Sequence, residues 1–190
     1  MKKLSIILSA FVLLSSFTVL NNVWTNDDPH SQLGFTVTHL GVADVSGTFN
    51  DFDAKITSSK PDFSDGVFEL TAKVSSIDTK VDARDNHLKS ADFFDAAKYP
   101  ELKFKSTSLK KVGKNKYKLI GNLSLHGVTK PLTLKLEYRG SVENAMNKKQ
   151  TAGFKVTGTI KRSDFNLGSG FPEPMISDEV RIKADAEFLQ

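Results

Sequence analysis

Four histidines and two short polar clusters are where this chain could do chemistry. The histidines are His30, His39, His87 and His126; the clusters are Arg84-Asp85-Asn86-His87 and Arg162-Ser163-Asp164-Phe165. A metal site or a proton relay needs side chains that converge. No HxH, HxxxH or HExxH spacing occurs, so no metal site is expected. Asp85 and His87 are an acid–base pair on paper. Residues i and i+2 diverge on a helix, however, and no obvious nucleophile accompanies them. Arg84 to His87 therefore reads first as capping and ion-pair work, and second as contact with a ligand head group. Arg162 to Phe165 reads as an end-of-strand turn in which Asp164 bonds nearby backbone. His39 is in phase with Phe35 and Val37 and reads as a buried, hydrogen-bonded histidine. His126 falls in a surface turn with Gly127, and His30 in a turn beside Pro29. There is no nucleophile elbow, phosphate-binding glycine loop or acidic metal loop. Cysteine is absent, which excludes disulfides, thiolate nucleophiles, Cys-zinc sites and iron–sulfur clusters. No catalytic residue and no cofactor is assigned, and the chain does not read as an enzyme.

Composition turns attention to the interior. The 190 residues suffice for one domain, and 39% hydrophobic against 25% charged excludes a disordered chain. Lys plus Arg number 26 and Asp plus Glu 22, mixed along the chain, so there is no basic stripe for nucleic acid. Phe occurs 14 times against one Trp and three Tyr. Such aromatic surface carries few polar atoms and suits a dry interior.

The elements that must position these residues are strands. An address comes first: Met1-Lys2-Lys3 precedes an apolar run that reaches Leu20. This is the pattern of a secretory signal, although no A-x-A cleavage site is present, and the run reaches the lower length limit for a membrane anchor. Residues 1–21 are thus expected to be a signal peptide or N-terminal anchor, and residues 22–190 the domain, with no membrane span once the signal is removed. From Trp24 onward the hydrophobic period is two. Strands are expected over Leu33 to Leu40, Val42 to Ile56, Phe68 to Val74, Glu101 to Ser108, Lys116 to Leu125, Leu132 to Arg139, Phe154 to Lys161 and Val180 to Phe188, with turn residues between them. Asp82 to Asp95 breaks the pattern and reads as a short helix or two helical turns, with Asp92 as a cap that presents Phe93 and Phe94. Sandwich and barrel both hide one-sided strands; long strands joined by short turns favour an all-β, eight-stranded antiparallel barrel with a short helical insertion. Gly121, Gly158, Ala72, Ala184 and Ala186 on inward faces leave room for a cavity lined by Phe and Leu. A filled barrel serving a structural or stress-protective role is the alternative.

The order and spacing of several motifs then become specific. They are Trp24, Asp28-Pro29-His30-Ser31, Phe35 to His39, Val45 to Phe49, Ser76 to Thr79, Arg84 to Leu88 and Asp92 to Asp95. Tyr99-Pro100, Phe104 to Thr107, Gly121 to Lys130 and Arg162 to Phe165 complete the series. Together they resemble the YceI-like family, the polyisoprenoid-binding, lipocalin-like proteins of bacterial envelopes. Asn122, Ser124 and Asn166 stand where Asp, Thr and Gly are usual. The resemblance implies an extended barrel that takes an isoprenoid or similar long-chain amphiphilic lipid, and a periplasmic or secreted carrier.

Phase along the strands places Phe35, Val37, His39, Phe49, Leu70, Ala72, Leu102, Phe104, Leu123, Leu134, Leu136, Phe154, Val156 and Ile160 inward, as lipid contacts. Phe93 and Phe94 would form a flap over an entrance, and Arg84, His87 and Lys89 would face an anionic head group. Oligomeric state is not legible.

Overall fold

Alternating side chains become strands throughout residues 22–190, the part of the chain described by the computed structural model; the expected signal or anchor at residues 1–21 lies outside the described residues. The strands are β1 (Asn22–Asn26), β2 (Gln32–His39), β3 (Ala43–Phe49), β4 (Phe52–Ser58), β5 (Val67–Lys73) and β6 (Ile77–Asp78). After the helix α1 (Asp82–Lys89) come β7 (Glu101–Gly113), β8 (Lys116–Leu125), β9 (Val128–Glu143), β10 (Gln150–Lys161) and β11 (Glu179–Leu189).

β1 and β2 act as one interrupted strand, since both pair with β11: Thr25 lies opposite Leu189, and Leu33 opposite Ala184. β3 and β4 are likewise one strand, β3 against β2 and β4 against β1. With β5, β7, β8, β9, β10 and β11 in antiparallel succession they close an eight-stranded barrel. This is the expected fold. The sequence reading started the first strand at Leu33 and missed β1, whose five residues present only Trp24 as a buried side chain.

The wall is not uniform. β5 pairs with β4, whereas the second neighbour of β3 is the two-residue β6. The switch occurs at Asn50 and Asp51, whose backbones bond Ser76 O at 3.1 Å and Lys73 N at 2.9 Å. Beyond it, α1 and the turns from Ser90 to Pro100 cover the gap. The helix stops where the Ser90 N–H and Oγ both donate to His87 O, at 3.1 and 2.8 Å. The expected short helix forms over Asp82–Lys89, but no second helical turn follows it and Asp92 is not its cap: the Asp92 carboxylate meets His87 Nε2 at 3.1 Å.

One end of the barrel is filled. Phe63, from the β4–β5 loop, sits at the centre of Trp24, Tyr138 and Phe154, with ring centroids at 5.1, 5.2 and 5.0 Å. Phe68 and Phe188 extend the cluster through Phe154. Mostly edge-to-face contacts among these rings, with the half-buried Tyr138 tilted against Phe63 and Phe154, make an aromatic plug. Neither of the two glycines expected to create space does so. A Cβ at Gly158 would lie 2.3 Å from Leu134 Cδ2, and one at Gly121 would lie 2.5 Å from the Phe104 ring. Their missing side chains are filled by neighbours, and Ala72 is packed solid.

Candidate functional site

Above the aromatic plug the barrel is hollow. The cavity is about 490 Å³, and Phe, Leu, Val, Ile and Ala dominate its wall. Phe68, Phe154 and Phe188 make its floor as the upper faces of the plug. The ends of β2 and β11, α1 and the loop after β10 surround its mouth.

Twelve of the fourteen positions placed inward by phase line this cavity: Phe35, Val37, His39, Phe49, Leu70, Leu102, Phe104, Leu123, Leu134, Phe154, Val156 and Ile160. Ala72 and Leu136 do not. Ala72 is overlaid by its register neighbours Phe52 and Leu102. Leu136 is packed beside Tyr117, whose hydroxyl donates to Asp62 O at 3.0 Å. Phe93, Phe94, Arg84 and His87 are part of the wall, but Lys89 is not.

Two guanidinium groups interrupt the apolar lining, and each is held by the backbone. Arg84 donates from Nε to Thr79 Oγ1 and from Nη2 to Thr79 O, both at 2.7 Å. Thr79 in turn donates from N and Oγ1 to the buried Asp85 carboxylate, at 2.9 and 2.5 Å. Thr79 thus links the two side chains, and the carboxylate that His87 meets is that of Asp92, not Asp85. Arg162 is 8% exposed and sits at the heart of the loop after β10. It donates to Ser177 O at 3.2 Å, Leu167 O at 3.0 Å, Gly168 O at 2.8 Å, Ile176 O at 3.1 Å and also to Phe171 O. Among the described residues neither arginine has a carboxylate within ion-pair distance. The sequence reading took Arg162 to Phe165 for a turn organised by Asp164. Asp164 instead pairs with Lys130 at 2.8 Å, and Asp178 accepts the Ser163 N–H at 2.9 Å. Burial pushes the Asp178 carboxyl up, but the Ser163 bonds and the charges of Arg162 and Lys161 hold it below its ordinary value.

The loop that Arg162 holds meets the segment after α1 through aromatic contacts. Phe93 stacks on Phe171 at 4.8 Å, and the His87 ring stands edge-on to both, at 5.1 and 5.3 Å. Gly168 is required here. Its φ is +59°, and a Cβ would lie 2.5 Å from the Phe93 ring. Phe94 turns the other way, onto Phe49 at 5.9 Å.

Two histidines differ from expectation. His39, at the end of β2, is exposed at the mouth rather than buried. His126 is half-buried rather than on the surface. Its Nδ1–H donates to Phe165 O at 3.0 Å, and its ring meets Tyr99 at 4.7 Å. His30 does make the turn contact expected of it, to Asp27 at 2.7 Å.

Wall residues missed by the sequence reading include Leu88 of α1 and Thr79 before it, and two larger groups. Leu33, Leu119 and Ile182 follow the same alternation as residues that were named. Leu167, Phe171, Met175 and Ile176 come from a loop with no period.

A YceI-like domain model matches residues 24–188. The chain is 41% identical over 161 residues to Protein YceI of Salmonella arizonae, covering 85% of this chain and 82% of that protein. It superposes on the crystal structure of the Campylobacter jejuni YceI protein with a TM-score of 0.73 and 32% identity, over 80% of this chain and 89% of that one. A polyisoprenoid binding domain from Saccharophagus degradans has the same fold, at a TM-score of 0.67 and 17% identity over 87% of this chain and 97% of that one. The motif order, the closed eight-stranded barrel and these matches along most of the sequence lead to one conclusion: the chain belongs to the YceI-like family.

Proposed function

We propose that this protein is an exported carrier that binds the chain of an isoprenoid or similar long amphiphilic lipid inside its barrel, in the periplasm or after secretion, without a catalytic step. The observation that carries this reading is the apolar cavity of about 490 Å³ above a packed aromatic floor. An apolar cavity of about 150 Å³ holds one benzene, or about 25 Å³ per carbon, so this one holds about 20 carbons, roughly four isoprene units. Burial is worth about 0.8 kcal/mol per carbon, giving about 16 kcal/mol gross. Micromolar affinity needs about 8 kcal/mol net, which leaves a similar amount against the cost of association. The Saccharophagus degradans domain, described as polyisoprenoid binding, supports the same ligand class. The positively charged N-terminal run, followed by apolar residues to Leu20, supports export.

In this mechanism the chain fills the lumen and the polar head stays at the mouth, near Arg84 and His87. Arg84 is already committed to Thr79 through Nε and Nη2, so the head group tunes binding and the chain dominates it. Titrating purified protein with geranylgeraniol and with geranylgeranyl diphosphate tests this. Both should bind, with affinities within about tenfold, or about 1.4 kcal/mol. No binding of either, together with no lipid on the protein in native mass spectrometry, would support the structural, ligand-free role instead. Binding of the diphosphate many hundredfold tighter would make the head group the determinant.

A further inference from the structure

The mouth of the cavity carries an apolar tip that the barrel does not need. Leu40 is 53% exposed, Val42 83% and Met175 45%. They come from two loops tied together: the Leu40 N–H donates to Met175 O at 3.1 Å, and His39 bridges to Ile176. Pro172 and Pro174 are exposed beside them, and Pro174 lies against Gly41.

Two features argue that this tip meets an apolar surface. Leu40 has φ +51°, a left-handed conformation that Asn or Gly adopts readily and that strains a leucine. A tight hairpin turn in water would be better served by either. The second feature is continuity. Met175, Ile176 and Phe171 belong to the cavity wall, so the outer tip and the inner lining form one apolar surface. The nearby Arg181 and Asp44 neutralise each other at 2.5 Å, while Glu173, exposed in the same loop, accepts the Asp178 N–H at 2.8 Å, so the tip carries one carboxylate beside its apolar side chains and offers no cationic patch to an anionic lipid. A chain that had to cross water to reach the cavity would be slowed about fourfold per methylene, about a millionfold for ten. A surface that joins the lumen to its source removes that barrier.

We propose that the Leu40–Val42 hairpin and the Pro172–Met175 loop dock on a lipid bilayer, and that chains pass between bilayer and cavity across this rim. The transfer part rests on the carrier reading above; the docking part stands on the exposed tip. Leu40→Asn combined with Val42→Ser suits the turn and leaves every wall residue in place. Two measurements on wild type and variant test the proposal. The first is co-sedimentation with phosphatidylcholine vesicles, with and without phosphatidylglycerol. The wild type should sediment with both, and the variant should lose at least about tenfold in partitioning. The second is uptake of a fluorescent geranylgeraniol from the same vesicles. The wild-type rate should rise with vesicle concentration, while the variant should load slowly at a rate independent of it. Both proteins should bind the prenol added from solution equally.

Equal sedimentation of the two proteins, sedimentation of neither, or a wild-type uptake rate independent of vesicle concentration would overturn the proposal. So would a wild-type dimer that the two substitutions dissolve, because the tip would then belong to a second copy. If neither protein binds the prenol from solution, the carrier reading fails, and co-sedimentation still decides the docking.

Discussion

Replacing Arg162 with lysine tests how the mouth of the barrel is held. The guanidinium is 8% exposed, and its three nitrogens reach the carbonyls of Leu167, Gly168, Phe171, Ile176 and Ser177. A lysine keeps the charge but offers three donors from one nitrogen. At least two of the five carbonyls therefore lose their donor in a place that water hardly reaches. Hydrogen bonds to a charged group are worth about 1.5–3 kcal/mol each, so the loss is about 3 kcal/mol or more. For a chain of this size that is about 6–12 °C in Tm. Arg139→Lys is the control. Arg139 holds Asp185 in a bidentate ion pair on the surface, and its replacement should change stability by less than about 1 kcal/mol. Urea unfolding with both variants measures the difference. An Arg162→Lys variant as stable as the control would refute the account of this loop as a structure built around one buried cation.

Other expectations follow from single groups. Thr151 Oγ1 is buried with no partner among the described residues, so Thr151→Val should raise stability by about 1 kcal/mol in the same unfolding assay. Burial pushes the Asp65 carboxyl up, but bonds from Ser58 and Ser59 outweigh it and hold the pKa at about 2, below the ordinary 3.8. A depressed folded pKa contributes stability in full above 3.8 and loses it as pH falls toward about 2, so Asp65→Asn should flatten the acid limb of a pH-dependent melt in that window alone. Phe93→Ala with Phe94→Ala should speed release of a bound prenol by about tenfold or more while changing entry less than about threefold; stopped-flow displacement on the folded variant would show otherwise if entry changed most.

Much of the barrel was legible because period-two alternation is a direct record of which face meets the core. The lining from β7 and β8, with Leu102, Phe104 and Leu123, follows from it. Its failures have physical causes. β1 has five residues with Trp24 alone buried, too few to mark it off as a strand of its own, and Phe63 reaches the plug from a loop at φ +56°. Leu136 has the right phase but lies packed beside Tyr117, because phase gives the side and not the depth. Small residues misled in the same way: Gly121 and Gly158 admit a neighbour's side chain rather than a ligand. Arg162 read as part of a turn because its partners are backbone carbonyls, which leave no trace in side-chain identity. Phe171 and Met175 could be placed only once the loop was seen folded over the mouth.

Chain length is the most direct probe of the central claim that a hollow of about 490 Å³ sets what this barrel binds. A calorimetric series of prenols from 10 to 40 carbons should tighten by up to about a thousandfold per isoprene unit, about 4 kcal/mol for five carbons, until about 20 carbons, where the cavity is full at about 25 Å³ per carbon. Beyond that length the affinity should stay level. Affinity that is flat from the shortest prenol, or that keeps rising to the longest, would contradict it.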